Sequence, residues 1–132
     1  MNLGNHLIST LISRINYGAK KRLRFIKLDI NDLFLKILKI LYLNGIIRSY
    51  RVDNKYIYIY YKYYLSQIAL NIKIISKPGN RKYWSLNKIS QNYNNNNFSG
   101  FYIISTPNGL YTSDYCLIKN ISGGEILLKV TI

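Results

Sequence analysis

The chain has 132 residues, which is enough for one ordinary domain or two small lobes and too few for a sizeable enzyme. Its 19 lysines and arginines face only five acidic residues, and the formal net charge of +14 indicates a polyanionic partner, either a nucleic acid or an anionic membrane surface. A single cysteine, Cys116, and a single histidine, His6, argue against a disulfide framework, a metal site, a cofactor or an acid–base centre. No apolar run reaches the roughly 18 residues that a membrane-spanning helix needs.

The first part of the chain predicts two amphipathic helices with a strand between them. The first helix runs from Asn5 to about Tyr17, carries its apolar side chains on one face, and is expected to end at Gly18. A strand is predicted over Leu23–Leu28. The second helix is predicted to be capped by Asn31 and stopped by Asn44-Gly45.

Two further strands complete the first lobe, over Ile46–Val52 and Tyr56–Tyr61. In the second of these, the isoleucines face one side of the sheet and the tyrosines face the other. The tyrosine stripe is either a platform on which nucleotide bases stack or a half-exposed sheet face or lobe interface, and the second interpretation is favoured. The first lobe, residues 1–64, is thus predicted as α-β-α-β-β.

The pattern weakens around residues 65–70, which predicts a lobe boundary there and a second lobe over residues 65–132. This lobe is expected to open with a strand at Ile72–Ser76, a tight turn over Lys77–Arg81 that carries two cations, called here the basic turn, and a returning strand at Lys82–Leu86. The asparagine-rich run Asn92–Asn97 has nothing to bury and is predicted to be a solvated loop.

The most distinctive stretch of the second lobe is Gly100–Gly109. Phe101–Ile104 has the pattern of a buried strand, and Pro107-Asn108-Gly109 is typical of a tight turn. Ser105 and Thr106 therefore lie where a strand meets a turn. Their hydroxyls either form part of a recognition edge or only close their own turn, and the local pattern favours neither interpretation.

A short helix and a strand are predicted for the rest of the chain. Thr112 is expected to cap the helix, which closes near Asn120, and the final strand is Ile126–Ile132. The second lobe is therefore predicted as mostly β strands with one short helix. The chain as a whole is predicted to be an α/β protein of the α+β type, built from two small lobes.

Several motifs occur in a consistent order along nearly the whole chain. They are Ile12-Ser13-Arg14-Ile15, Asn44-Gly45-Ile46-Ile47, Lys62-Tyr63, the segment ISKPGNRKY from Ile75 to Tyr83, Gly100 with Ile103-Ile104-Ser105-Thr106 and Gly109-Leu110, and Gly123-Gly124-Glu125-Ile126-Leu127. In this order and spacing the chain resembles the family of the eighth protein of the bacterial-type small ribosomal subunit, a primary binder of small-subunit ribosomal RNA. The matches are strongest after Ile72.

The resemblance implies that the second lobe holds the principal RNA site and that the first lobe contributes accessory contacts. The residues expected to bind RNA in the second lobe are Ser105, Thr106, Asn108, Gly109, Gly123, Gly124, Glu125, Lys77, Arg81, Lys82 and Tyr83, and those in the first lobe are Arg14 and Lys20. Short hydroxyl and amide groups suit ribose 2′-hydroxyls and phosphates in the wide minor groove of RNA, and cations suit phosphates. The glycines would let RNA approach backbone N–H groups.

Two of these residues have open alternatives. Tyr83 either stacks on an unpaired base or packs within the protein. Glu125 either accepts a hydrogen bond from an exocyclic amine, orients a neighbouring arginine, or is an ordinary solvent-exposed carboxylate at the start of a strand.

The function that the resemblance implies is structural and not enzymatic. The expected partners are small-subunit ribosomal RNA and neighbouring small-subunit proteins, with no membrane, small-molecule substrate, cofactor or metal. The alternatives are a basic nucleic-acid-binding module outside the ribosome and a peripheral membrane-surface protein. Codon-driven enrichment in Tyr, Ile, Asn and Lys indicates an AT-rich genome, and the lack of an Arg- and Ser-rich transit peptide indicates synthesis inside the compartment where the protein works. The expected location is the mitochondrion, with a plastid or the cytoplasm of an AT-rich bacterium as the alternative.

Overall fold

The described part of the chain combines helices with antiparallel sheets. A computed structural model describes residues 3–64, 67–68, 71–77, 79–95, 100–121 and 123–131. The chain divides into two compact units, Met1–Asn71 and Ile72–Ile132. The predicted α+β fold in two lobes is confirmed, whereas the placement of the lobe boundary after Tyr64 stays a prediction.

The first unit packs two helices against a three-stranded antiparallel sheet. Its elements are α1 (Leu3–Lys20), β1 (Phe25–Asp29), α2 (Asp32–Leu43), β2 (Ser49–Asp53), β3 (Tyr56–Tyr60), β4 (Tyr63–Tyr64) and β5 (Gln67–Ile68). The sheet has the order β1-β3-β2, and β4 pairs separately with β5. The side chains that form the core of this unit are fully buried: Leu11, Ile15, Ile37, Leu38, Leu41, Ile57 and Ile59. The predicted alternation of β3 is confirmed, since its isoleucines are buried and its tyrosines are exposed or half-buried.

The prediction that the first helix ends at Gly18 is wrong. Helix α1 continues to Lys20, and Gly18 is buried within it. A β-carbon at this position would collide with the Tyr61 hydroxyl and with a methyl group of Ile26. The Tyr61 hydroxyl donates a hydrogen bond of 2.7 Å to the carbonyl oxygen of Ile15. Glycine is therefore needed at this position because a tyrosine packs against the helix, and not because the helix stops.

The two ends of α2 follow the sequence signals. The Asn31 side chain accepts a hydrogen bond of 2.9 Å from the backbone N–H of Leu33, which confirms it as the N-cap. The helix stops at Leu43, as predicted, and Gly45 follows with φ of +73°. The next strand begins at Ser49 and not at Ile46, because the backbone N–H of Ile46 donates to the Leu41 carbonyl oxygen at the end of the helix.

The second unit is a five-stranded antiparallel sheet with two helices. Its elements are β6 (Asn71–Ile74), β7 (Tyr83–Trp84), α3 (Leu86–Asn95), β8 (Gly100–Thr106), β9 (Gly109–Thr112), α4 (Ser113–Lys119) and β10 (Gly124–Thr131). The strand order is β6-β10-β8-β9, and β7 also pairs with β10. One core cluster contains Ile89, Tyr102, Ile104, Cys116 and Ile126. Thr112 is confirmed as the cap of α4, since its side chain accepts from the Tyr115 backbone N–H at 3.3 Å.

Helix α3 corrects two predictions. The strand expected over Lys82–Leu86 covers only two residues, and the loop expected over Asn92–Asn97 is helical as far as Asn95, while the last two residues of that loop lie outside the described part of the chain. Burial of Ile89 in the core cluster explains the difference, because this side chain, with Leu86 packed against the same cluster, secures a helix whose other residues are mostly polar. The weak segment 65–70 lies mostly outside the described residues.

Candidate nucleic-acid interface

Three of the predicted RNA-binding residues form one row across the sheet of the second unit. Tyr83 in β7 pairs with Glu125 in β10, Glu125 pairs with Ser105 in β8, and Ser105 pairs with Leu110 in β9. Directly paired residues of antiparallel strands project from the same face of a sheet. The next residues along β8 and β10, Ile104 and Ile126, belong to the core cluster. The row of Tyr83, Glu125, Ser105 and Leu110, which we call the recognition row, therefore lies on the face opposite that cluster.

The recognition row is accessible to a ligand. Tyr83 is 62% exposed, and Ser105, Glu125 and Leu110 are half-buried. The row thus offers an aromatic ring, a carboxylate, a hydroxyl and an apolar side chain side by side. Because Tyr83 is mostly exposed, its ring is not a core side chain.

A buried serine connects the recognition row to the basic turn that precedes it. The Ser76 hydroxyl donates to a carboxylate oxygen of Glu125 at 3.1 Å and accepts from the backbone N–H of Lys82 at 3.3 Å. The backbone N–H of Ile126 donates to the Lys82 carbonyl oxygen at 2.9 Å. Glu125 therefore has a structural partner within the protein and holds the turn against β10. The sequence analysis missed Ser76, although it immediately precedes the Lys77 turn.

The basic turn carries two of the predicted cations, Lys77 and Arg81, and Lys82 follows it directly. Lys77 and Asn80 close it with two backbone hydrogen bonds of 3.2 and 2.9 Å, and Gly79 has φ of +85°. The Lys77 and Lys82 side chains are exposed and that of Arg81 is half-buried. These hydrogen bonds and the Ser76 contacts place the backbone of the turn next to Glu125 of the recognition row.

The two glycines that precede Glu125 have close neighbours on adjacent strands. A β-carbon at Gly123 would meet the carbonyl oxygen of Trp84, and one at Gly124 would meet the carbonyl oxygen of Ser105. These glycines therefore allow β10 to approach β7 and β8 closely.

Thr106 is part of the turn that follows β8. Its side chain is only 8% exposed, and its hydroxyl donates to the Gly109 carbonyl oxygen at 2.9 Å and accepts from the backbone N–H of Asn108 at 3.2 Å. Asn108 and Gly109 are exposed. The donor proton of Thr106 is thus used within the turn, which supports the interpretation that this hydroxyl closes its own turn.

Replacement of Thr106 by valine is expected to lower the free energy of unfolding by about 1–2 kcal/mol, because the Gly109 carbonyl and the Asn108 N–H each lose their partner. Thr106→Ser keeps the hydroxyl and is expected to lose less than the valine variant. Urea denaturation of the three proteins measures the difference. If the valine variant is as stable as the parent, the hydroxyl does not hold the turn.

A pair of stacked tyrosines beside this turn was missed by the sequence analysis. The rings of Tyr111 and Tyr115 lie 4.8 Å apart with an interplanar angle of 12°. The Tyr111 hydroxyl donates to the carbonyl oxygen of Asn108 at 3.2 Å. Tyr111 and Tyr115 lie on either side of the helix cap Thr112, and this placement around the cap was the signal that the sequence offered. The pair supports the turn from the side of α4.

The two predicted residues of the first lobe lie in the first unit. Arg14 in α1 is exposed and donates a hydrogen bond of 3.1 Å to the backbone carbonyl of Lys27 in β1. Lys20 is exposed in the last turn of α1. Arg14 thus links a helix to the sheet, whereas Lys20 is a surface cation.

The described residues contain no group of three or more histidine, cysteine or acidic side chains that could hold a metal ion. Cys116 lies in the core cluster, where burial raises the pKa of its thiol. In the same part of the chain, no helix combines the length and the apolar character required to cross a membrane.

Fold and surface together define a small, strongly basic α+β protein, in which aromatic, hydroxyl and charged groups lie side by side along one sheet. The chain belongs to the family described as Ribosomal protein S8, whose profile matches residues 6–131. Members of this family are structural, non-enzymatic components of the ribosome. The resemblance drawn from the sequence motifs is confirmed.

Individual relatives match over almost their full length. The chain is 35% identical over 126 residues to the small ribosomal subunit protein uS8m of Acanthamoeba castellanii, covering 94% of this chain and 98% of the relative. It is 31% identical over 129 residues to the small ribosomal subunit proteins uS8 of Rickettsia typhi and Rickettsia canadensis, covering 93% of this chain and 95% of each relative.

Proposed function

We propose that this chain is a structural constituent of the small ribosomal subunit, binds small-subunit ribosomal RNA directly and helps to assemble the central domain of the subunit. Its family and the names of its relatives support the assignment to the small subunit. The net charge of +14 supports a polyanionic partner, since neutralising phosphates releases condensed counterions.

The observation that carries the proposal is the recognition row together with the basic turn beside it. Ser105 supplies a hydroxyl that can donate to or accept from a ribose 2′-hydroxyl, and the exposed ring of Tyr83 can stack on an unpaired base. Lys77 and Lys82 supply charge for neighbouring phosphates. The hydrogen bonds of Ser76 to Glu125 and to the Lys82 backbone fix the chain that carries these groups, which lowers the entropy cost of ordering the site when RNA binds.

The second lobe, residues 65–132, is proposed as the principal RNA site and residues 1–64 as the accessory lobe. The strongest sequence motifs and the recognition row support this ranking. The first unit nevertheless carries 12 of the 19 lysines and arginines. Part of its contribution is therefore proposed to be electrostatic, through Arg14 and Lys20.

The proposed location is the small subunit of a mitochondrial ribosome, where neighbouring small-subunit proteins are further partners. The mitochondrial designation of the Acanthamoeba relative supports this location. The AT-driven composition is also typical of an organelle gene.

A charge-matched pair of variants tests the proposed site. Lys77→Ala combined with Lys82→Ala is expected to weaken binding to a small-subunit RNA fragment and to reduce the salt slope by about 2, because two phosphate contacts are lost. Lys36→Ala combined with Lys39→Ala removes the same charge from exposed positions on α2 and is expected to leave the slope close to that of the parent. Filter binding at several salt concentrations measures both. Equal effects of the two double variants would show that only total charge matters.

A further inference from the structure

The outer face of the sheet in the first unit carries aromatic and charged side chains in register. Phe25 pairs with Tyr60 and Tyr60 with Ser49, which forms the first of three cross-strand rows. The second row joins Lys27, Tyr58 and Arg51, and the third joins Asp29, Tyr56 and Asp53. Since paired residues project from one face, these nine side chains form a single surface, which we call the tyrosine face.

The groups of the tyrosine face contact one another. The Lys27 ammonium lies 3.9 Å from the centroid of the Tyr56 ring, and the Arg51 guanidinium carbon lies 4.7 Å from that of Tyr58. The Phe25 ring lies 5.6 Å from Tyr60 and 6.0 Å from Tyr58. Cations held over aromatic rings are thus arranged along the sheet together with a cluster of rings.

This surface is open to solvent, although it is rich in large side chains. Phe25 is 45% and Tyr56 is 38% exposed, and Tyr58 and Tyr60 are half-buried. The opposite face carries Ile57, which is fully buried in the core. The core is therefore complete without the tyrosine face, and the exposed rings are available for another partner.

We propose that the tyrosine face binds single-stranded RNA, with bases stacked on its rings and phosphates near its cations. Aromatic side chains on neighbouring strands, accompanied by positive charge, are the features with which sheets bind unpaired nucleotides, and an arginine plane can itself stack on a base. The inference rests on the proposed function for the identity of the polyanion. It adds a second RNA site of different chemistry, in the first unit, to the recognition row of the second.

The charged side chains of the tyrosine face determine where the RNA lies on it. Asp29 and Asp53 flank the Tyr56 row, whereas the Phe25 row has no acidic side chain and the next row carries Lys27 and Arg51. RNA phosphates are repelled by the two aspartates and attracted by Lys27 and Arg51, so the RNA lies over the rows of Phe25 and Lys27.

Binding of a fluorescent, unstructured oligouridylate to the full chain tests this site. Phe25→Leu combined with Tyr58→Leu removes two rings from the tyrosine face but keeps apolar side chains, and is expected to weaken binding at least about fivefold, since stacking on each ring is lost. The control is Tyr17→Leu combined with Tyr42→Leu, which removes two exposed tyrosines from α1 and α2 and is expected to leave the affinity unchanged. Tyr58→Phe keeps the ring and is also expected to bind normally. Circular dichroism confirms that each variant is folded.

A second measurement uses the unmodified chain and does not depend on any variant. Ultraviolet crosslinking of the oligouridylate is expected to label the peptide that contains Tyr56–Tyr60 or the one that contains Phe25. Labels confined to the second unit would overturn the inference. A folded Phe25 and Tyr58 double variant that binds the oligouridylate normally would also overturn it. The tyrosine face would then be a surface for a protein.

Failure of this inference can be distinguished from failure of the proposed function. Suppose that the Lys77 and Lys82 double variant weakens binding to the ribosomal RNA fragment, while the Phe25 and Tyr58 double variant binds both this fragment and the oligouridylate normally. Then only the tyrosine face is excluded as an RNA site. If the unmodified chain binds neither RNA, the proposed function itself is wrong.

Discussion

Replacement of Gly124 by valine is expected to lower the free energy of unfolding by about 3 kcal/mol, the upper end of the usual cost of overpacking. A β-carbon at this position would meet the Ser105 carbonyl oxygen and would lie 3.1 Å from the α-carbon of Thr106. Strand β10 cannot move aside, because it pairs with β7 and β8 on its two sides at this point. The same change would separate Glu125 from Ser105 and disrupt the recognition row.

Chemical denaturation and RNA binding together test this expectation. Gly79→Asn is a suitable control, because no atom lies within 4 Å of the position of its β-carbon and asparagine tolerates the positive φ of this residue. The control is expected to change the unfolding free energy by less than about 1 kcal/mol. A Gly124→Val protein with the stability of the parent would show that β8 and β10 do not approach as closely as described.

Affinity for a fragment of small-subunit ribosomal RNA is expected to fall by about 10³ to 10⁵ between roughly 50 and 200 mM salt, if about 6–10 phosphates are contacted. The net charge of +14 provides more than enough cations for this number of contacts, even if many lie away from the RNA. The affinity measured at a series of salt concentrations gives the slope directly. A flat dependence would mean that few phosphates are neutralised and would contradict a site built around Lys77 and Lys82.

The parts of the fold that could be predicted are those specified by neighbours in the sequence. Asn31 and Thr112 cap their helices through backbone groups two and three residues away, and the turn after β8 is determined by Pro107-Asn108-Gly109. The alternation of isoleucine and tyrosine gave the two faces of β3. Each of these signals acts over a few residues, so one sequence is sufficient to recognise it.

The errors concern residues whose environment is made by distant parts of the chain. Gly18 looked like a helix stop, but Tyr61, far along the sequence, packs against it. Helix α3 has little apolar pattern, and its position depends on the burial of Ile89 against other elements of the second unit. Such contacts leave no periodic signal in the local sequence.

The sequence predicted which residues form the candidate site but not the hydrogen bonds that hold them together. Motif matching named Tyr83, Ser105 and Glu125, and the register of the sheet brings these three into one row. The hydrogen bonds of Ser76 to Glu125 and Lys82 could not be predicted, because they join strand, turn and sheet residues that are separated in the sequence. The internal hydrogen bonds of Thr106 likewise became visible only from the geometry of its turn.

Competition binding measures whether the chain recognises small-subunit ribosomal RNA specifically. The full chain is mixed at moderate salt with a labelled fragment of small-subunit ribosomal RNA that contains an irregular helix, and an unlabelled, unrelated duplex of equal length is added as competitor. Because phosphate contacts alone are insensitive to sequence, preference for the fragment must come from contacts beyond charge, such as those of the recognition row. An excess of the duplex is expected to leave most of the fragment bound, whereas displacement of the fragment at equal concentrations of the two RNAs would show that the chain does not prefer it.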